Sequence, residues 1–397
     1  MRLTLLSHFI GRGGSTAFFI QIRDFMASRG HQVSLVVGRD APDPMAEQYQ
    51  VVPFQPNQRW RDRMREYVRV IQATQPDAVY TTSGQEEFEV LRFLKCPRAL
   101  HCLCIEQHEY SDLPLWHRQL QPYTELRTAN TPDLLERVKG TPPHRIQLAC
   151  APYRLPEVFL RAPDVKPSRP GPARDAIEVC FLGRLDKFQK RVHWLPEIMS
   201  RCQSQGVRIR WHIYGSGPAE PELRDGIAKA GLGDEVKFHG WQGPELLAAT
   251  LGAHDLFFLC SRWEGLPAAM VEAMLCGLAC VVPNCPAGMT YMLEKGGGRV
   301  YEAESPAAAA AALAEAATDP IRLARWRSEA QAIARALNAR EVVDGQLGHV
   351  ADLLEKLPFN GNAADLNSAR PMKLVTLPVL LRRRWTHLKN RLWRSNP

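Results

Sequence analysis

Long apolar runs are missing from this chain of 397 residues. No stretch approaches the roughly 18 consecutive apolar residues that a spanning helix needs, which excludes a helical integral membrane protein. Paired Cys-x-x-Cys spacings are missing too. The ten cysteines are scattered, most of them inside apolar segments such as EVCFLGR and DLFFLC. Buried free thiols in a reducing cytoplasm are therefore expected, rather than disulfides or a zinc site. The N-terminus MRLTLLSHFIGRGG has no small-residue cleavage site and is expected to form a buried first strand instead of a signal peptide. Apolar residues at 45% and charged residues at 23% exclude a largely disordered chain. The length asks for two or three domains.

Charge is unevenly spread. The net charge is +8, and residues 371–397 hold Lys373, Arg382, Arg383, Arg384, Lys389, Arg391 and Arg394 with no Asp or Glu. The rest of the chain is thus close to neutral. In the same tail Leu381, Trp385, Leu388 and Leu392 recur at steps of four, three and four, one face of a helix with basic flanks. A helix of this kind lies on anionic membrane surfaces, each basic residue adding about 1 kcal/mol. The alternative is a terminal helix packed on the N-terminal domain. A nucleic-acid arm finds no support elsewhere in the chain.

Apolar runs that read as strands alternate with helical stretches. They fall at 2–7, 31–38, 77–83, 98–105, 124–130 and 145–150, and again at 177–183, 207–215, 235–240, 254–260, 277–283 and 298–303. Short strands separated by helices predict βαβ units and parallel sheets. The two series are divided by RAPDVKPSRPGPARDA (161–176), which has four prolines and no apolar period. This organisation predicts an α/β protein of two Rossmann-like domains facing each other across a cleft. The domains would be 1–165 and 177–345, with a Pro-rich hinge at 166–176, a closing helix at 346–357 returning toward the first domain, a polar loop at 359–371 and the basic tail. Ligands of open α/β sheets bind at the carboxyl ends of the strands.

The chemistry concentrates in the second series. In LCSRWEGLPAAMVEAMLCG a loop holds Glu264, and a helix starting at Pro267 carries Glu272. The N–H groups of Gly265, Leu266 and Ala268 would face a ligand from the positive end of that helix. Two carboxylates at different depths suit a hydroxyl-rich ligand, although a solvated helix start explains them as well. FLGRLDKFQKRV places Arg184 just after a strand and Lys190 six residues on. Such a pair would neutralise a diphosphate leaving group, unless both are merely solvated. HIYGSGP runs a strand into a turn where Gly215 would admit a close backbone approach. EVKFHGWQ offers Phe238 and Trp241 at a strand end, for stacking on a base or for ordinary packing.

The ordered series GRLD-x3-KR, YGSGP, FHGW and E-GLP-x4-E resembles the retaining glycosyltransferases of the GT-B fold, family GT4, whose mark is two glutamates separated by seven residues. The resemblance covers about residues 1–357 and is strongest over 178–302. It implies that Arg184 and Lys190 hold the donor diphosphate, that Glu264 contacts the donor sugar and Glu272 the ribose, and that the segment from Phe238 to Trp241 frames the base. GRGGST (11–16) resembles the family's glycine loop, implying donor or acceptor contacts at Gly13 and Gly14. His108, with Glu109 beside it, resembles a His-acidic pair next to the sugar; His101 and His117 are its rivals. Residues 283–298 depart from the pattern, because Gly288 is not followed by a glutamate three residues on.

The implied activity is a retaining, metal-independent transfer of a hexose-type sugar from a nucleotide diphosphate sugar, UDP ahead of GDP. The acceptor would be a membrane-associated glycan such as lipopolysaccharide or a lipid-linked oligosaccharide. Catalysis would fall to His108, Glu264, Arg184 and Lys190, with no enzymic nucleophile, no metal site, no cofactor beyond the donor and no nucleic-acid partner. The enzyme would be cytoplasmic and peripheral on the inner face of the membrane. A NAD-dependent oxidoreductase is the alternative, read from Gly11, Gly13 and Asp40, but Thr16 stands where a third glycine is needed. A non-catalytic scaffold of the same fold is a third. The basic helix around Arg59, Arg61, Arg63, Arg65 and Arg69 would meet an acceptor phosphate or a lipid surface, or be a solvated face interleaved with Asp62 and Glu66.

Overall fold

The structure is a computed structural model. It describes residues 1–8, 10, 14–39, 49–55, 57–82, 84–102, 107–108, 111–139, 146–164, 176–285 and 289–372, with backbone alone at 15, 107–108 and 111–115. Gly11, Gly13, Asp40, Glu109, Gly288, the hinge at 166–175 and the tail at 373–397 lie outside the described residues.

The chain forms two compact units, Met1–Tyr153 with Asp344–Pro397, and Arg154–Val343. In the first unit the strands are β1 (Arg2–Ser7), β2 (Gln32–Val37), β3 (Gln50–Val51), β4 (Ala78–Thr81), β5 (Arg98–Cys102), the short pair β6 (Gln107–His108) and β7 (Ser111–Asp112), β8 (Leu126–Ala129) and β9 (Gln147–Cys150). Seven of them build one sheet in the order β3-β2-β1-β4-β5-β8-β9, with every pairing parallel. Strands β1 and β4 are almost wholly buried because helices cover both faces. That is why they read as continuous apolar runs.

The second unit holds β10 (Ile177–Leu182), β11 (Ile209–Tyr214), β12 (Val236–Gly240), β13 (Leu256–Phe258), β14 (Ala279–Pro283) and β15 (Gly298–Tyr301). Its sheet is again parallel, in the order β12-β11-β10-β13-β14-β15. Counted from β10 this is 3-2-1-4-5-6, the doubly wound order, whose ligand crevice opens where the order reverses, between β10 and β13. The expected α/β class of two Rossmann-like units is what the chain forms. The strands fall where the alternation placed them, apart from the short β3, β6 and β7. The Ala-rich helix runs Pro306–Thr318, with the Ser305 hydroxyl accepting from the Ala308 N–H at 3.1 Å.

The last elements differ from expectation. The closing helix starts earlier, at Arg340, and runs to Glu355. Residues 358–372 are no free polar loop but a strap on the first unit. Arg98, fully buried and paired with Glu125 at 2.6 Å, donates to the Asn362 carbonyl at 2.6 Å. Met372 joins the core cluster of Tyr67, Phe88 and Trp116, with Ala364, Leu366 and Ala369 packed beside it. The strap also answers much of the arginine cluster on helix Trp60–Ala73. Arg61 donates to the Ala369 carbonyl, and Arg65 binds Asn367 and Asp62. Arg63 pairs with Glu86 and Arg69 with Glu66. These four side chains are occupied within the protein. Among the described residues no helix is long and apolar enough to cross a membrane.

Candidate functional site

The loop after β10 is shaped by one carboxylate. Asp186 Oδ1 accepts the backbone N–H groups of Phe188 at 3.0 Å, Gln189 at 2.7 Å and Lys190 at 3.4 Å, while Oδ2 takes Arg184 Nε at 2.9 Å. Burial pulls the Asp186 carboxyl upward, but the Gln189 N–H and the Arg184 guanidinium outweigh it and hold it below its ordinary value. Further ties come from the neighbouring strand. Cys260 shares its thiol between the carbonyls of Lys190 at 3.2 Å and Arg191 at 3.5 Å, and the Arg262 N–H binds the Gln189 carbonyl at 2.7 Å. Arg191 sits in the left-handed region at φ 52 and pairs with Glu304, itself at φ 66. Two non-glycine residues in that region cost energy, which the shared ion pair offsets.

This scaffold delivers Lys190 to Glu264. The ammonium and Glu264 Oε1 stand 2.5 Å apart, and both side chains are buried, with 11% and 6% exposure. Gln189 Nε2 reaches the Trp263 carbonyl at 3.3 Å and Glu264 Oε2 at 3.5 Å, and Gln189 Oε1 accepts from Arg184 Nη2 at 3.2 Å. Arg184, Gln189, Lys190 and Glu264 thus form one connected group. It spans the loops after β10 and β13, the point where the sheet reverses. Arg184 is 62% exposed and is the open cation of the group.

Gly265 is buried and Leu266 half-buried in the turn that leads to helix Ala268–Leu275. Among the described residues no backbone carbonyl accepts the N–H of Gly265, Leu266 or Ala268. Glu272 lies within that helix, partly accessible yet crowded by protein, and burial alone pushes its carboxyl up to about 7. No protein group bonds it among the described residues. A partnerless carboxyl at such a depth suits a ligand hydroxyl better than a role in packing.

The glycine turn after β11 has a different reason from the one expected. A Cβ at Gly215, where φ is 125, would stand 2.0 Å from the Gly183 carbonyl oxygen, and one at Gly217 would stand 2.3 Å from that of Leu185. Small residues are needed there so that the loops after β10 and β11 can nest. Phe238 is also redirected. The Arg224 guanidinium lies 3.8 Å over its ring, so that face is taken by a cation rather than open to a base. Trp241, just past β12, is 53% exposed.

In the first unit Gly14 opens helix Gly14–Ser28, whereas Gly13 is outside the described residues. His108 has only its backbone described, in β6. Its rivals are enclosed. His101 stacks on Phe18 at 3.9 Å and bonds Thr128 at 2.8 Å and Asn130 at 2.5 Å, and burial lowers it to about 3. Burial lowers His117 to about 3 as well. Asp186, Gln189 and Cys260 escaped the sequence reading. Only Asp186 left a signal, an Asp followed by the loop its side chain organises.

Residues 165–333 match the family described as glycosyl transferases group 1. Over that segment the chain is similar to the group 1 glycosyltransferases. The matched segment contains the whole Arg184–Gln189–Lys190–Glu264 group. WcaL of Salmonella typhimurium, a glycosyltransferase assigned to colanic acid biosynthesis, is 32% identical over 146 residues, 35% of this chain and 36% of that protein. The lipopolysaccharide 1,6-galactosyltransferase of the same organism is 25% identical over 193 residues, 47% of this chain and 50% of its own. The chain spans about a third of the length of the first curated relatives it matches. Among solved structures, HepE of Anabaena in complex with UDP superposes with a TM-score of 0.66 at 20% identity, covering 90% of this chain and 100% of its own. That likeness shows the fold, the GT-B pair of Rossmann-like units.

Proposed function

We propose that the protein is a retaining glycosyltransferase. It would move a hexose-type sugar from a UDP-sugar to a membrane-associated glycan, such as lipopolysaccharide or a lipid-linked oligosaccharide. The observation that carries this reading is the buried Lys190–Glu264 contact at the reversal point of the second sheet, with Arg184 open beside it. When a sugar–phosphate bond breaks, negative charge develops on the departing diphosphate. Arg184, Lys190 and the unbonded N–H groups ahead of helix Ala268–Leu275 supply positive potential for it.

With diphosphate engaging Lys190, Glu264 is released to accept sugar hydroxyls, and Glu272 to accept those of the ribose. No side chain is needed as nucleophile, since a same-face attack lets the departing phosphate take the acceptor proton. The reaction then needs no divalent metal. UDP is preferred over GDP because the HepE complex of the same fold holds UDP. The acceptor class follows the named relatives, and the tail beyond Met372 would hold the enzyme peripherally on the inner face of the cytoplasmic membrane. The dinucleotide alternative draws on Gly11, Gly13 and Asp40, which lie outside the described residues, and leaves the Lys190–Glu264 group without a purpose.

Calorimetric titration with UDP, GDP and NADH tests the donor side. UDP should bind most tightly, and should do so in the presence of a chelator. Binding of NADH alone would sink the reading.

A further inference from the structure

One neutral side chain stands among the charges of the second unit. Gln189 is half-buried on the loop after β10, and its amide is engaged at both ends. Oε1 accepts from Arg184 Nη2 at 3.2 Å. Nε2 is shared between the Trp263 carbonyl at 3.3 Å and Glu264 Oε2 at 3.5 Å. Only a group that accepts at one end and donates at the other can bridge a guanidinium and a carboxylate. A lysine at this position would be repelled by Arg184 and Lys190, and a carboxylate by Asp186 and Glu264. The shape of the loop does not depend on the amide. The Gln189 backbone N–H donates to Asp186 Oδ1 at 2.7 Å, and its carbonyl accepts from the Arg262 N–H at 2.7 Å.

The two oxygens of Glu264 have different partners. Oε1 meets the Lys190 ammonium at 2.5 Å, and Oε2 meets Gln189. A diphosphate that draws Lys190 to itself frees Oε1 alone. Oε2 stays tied to the amide, whose other end is fixed on Arg184. The carboxylate then keeps its plane and offers one oxygen to a sugar hydroxyl. Without the amide, a carboxylate that has lost Lys190 samples several rotamers and loses that aim.

We infer that Gln189 is a positioning residue that couples the diphosphate at Arg184 to the sugar at Glu264, and so sets how tightly the hexose of the donor is held. The inference rests on the glycosyl-transfer reading above and deepens it. Gln189 itself makes and breaks no covalent bond.

The test compares full-length wild type, Gln189→Met and Gln189→Glu by titration calorimetry with UDP, UDP-glucose, UDP-galactose and UDP-N-acetylglucosamine. The readout is the affinity of the UDP-sugar that the wild type binds most tightly, divided by that of UDP. This ratio should fall about tenfold in Gln189→Met, while the affinity for UDP itself changes by less than about threefold. In Gln189→Glu, which keeps the acceptor for Arg184 but turns a carboxylate toward Glu264, the ratio should fall at least as far. A merely structural residue would move both ligands together. If Gln189→Met fails to fold, the nearly isosteric Gln189→Glu still decides. An unchanged ratio in the folded variants, or equal losses for UDP and UDP-sugar, would overturn the inference. So would a wild type that binds UDP but none of the three UDP-sugars. A wild type that does not bind UDP would instead strike the donor reading, and the inference with it.

Discussion

Lys190 Nζ and Glu264 Oε1 meet at 2.5 Å between the loops that follow β10 and β13, the two strands at which the second sheet reverses its order. Each is buried, so neither tolerates the loss of the other. Removing one partner of a buried pair strands a charge and costs about 3–5 kcal/mol. Glu264→Ala and Lys190→Met should therefore each lower the unfolding free energy by about that amount, besides abolishing transfer. The double variant Lys190→Met with Glu264→Gln should recover most of the stability and none of the activity. Chemical denaturation of the four proteins checks this; a loss in the double variant equal to the sum of the two single losses would show that the pair is not coupled.

Glu272 gives a pH signature. Its folded value of about 7 is above that of an unfolded glutamate, so the folded state holds the proton more tightly. The sign follows. Stability is greatest while the carboxyl is protonated in the fold, and falls as pH rises from about 4.5 toward about 7. Melting temperature should decline over that window in the wild type, and the decline should flatten in Glu272→Gln. Parallel slopes for the two proteins would assign the effect elsewhere.

Asp186 binds no ligand in this scheme, yet it shapes the loop that does. Asp186→Ala removes the acceptor of three backbone N–H groups. UDP affinity should drop about tenfold, with a stability loss of about 1–3 kcal/mol. Asp186→Asn keeps one acceptor oxygen and should fall between. Titration calorimetry that finds all three proteins equal in UDP affinity would remove Asp186 from the site.

Two truncations separate the strap from the tail. Deleting 373–397 should leave the melting temperature unchanged but release the protein from vesicles containing anionic lipid. Deleting 358–397 also withdraws Met372 from the core and the Asn362 carbonyl from buried Arg98. That variant should lose several kcal/mol, since a buried guanidinium forfeits a partner. Vesicle flotation and thermal melting read the two effects independently.

Acid should weaken the fold by a known route. His101, His117 and His254 are buried and lowered to about 3, 3 and 4, chiefly by desolvation, so each is neutral in the native state. Their contribution is complete above about pH 6.5 and is lost as pH falls toward those values. His101→Asn should flatten the acid limb of a denaturation curve, and an unaltered limb would exclude that residue.

Much of the fold was legible because parallel strands covered on both faces must be continuously apolar. LTLL in β1 and CFL in β10 announce themselves, and the helices between them follow from length and periodicity. The E-x7-E spacing placed Glu264 and Glu272 on one loop and helix, again a local matter. What the sequence by itself determined was therefore the class, the strand series and the identity of the charged residues near the donor. Tertiary structure alone decided their partners. Lys190 and Glu264 are 74 residues apart and meet only because β10 and β13 are neighbours. Arg224 covers Phe238, residues 358–372 fold back as a strap, and Glu87 reaches His8 across 79 positions. Periodicity records which way a side chain points on its own element. It carries no record of which distant element the fold will bring opposite, because that depends on strand order and packing rather than on any local preference.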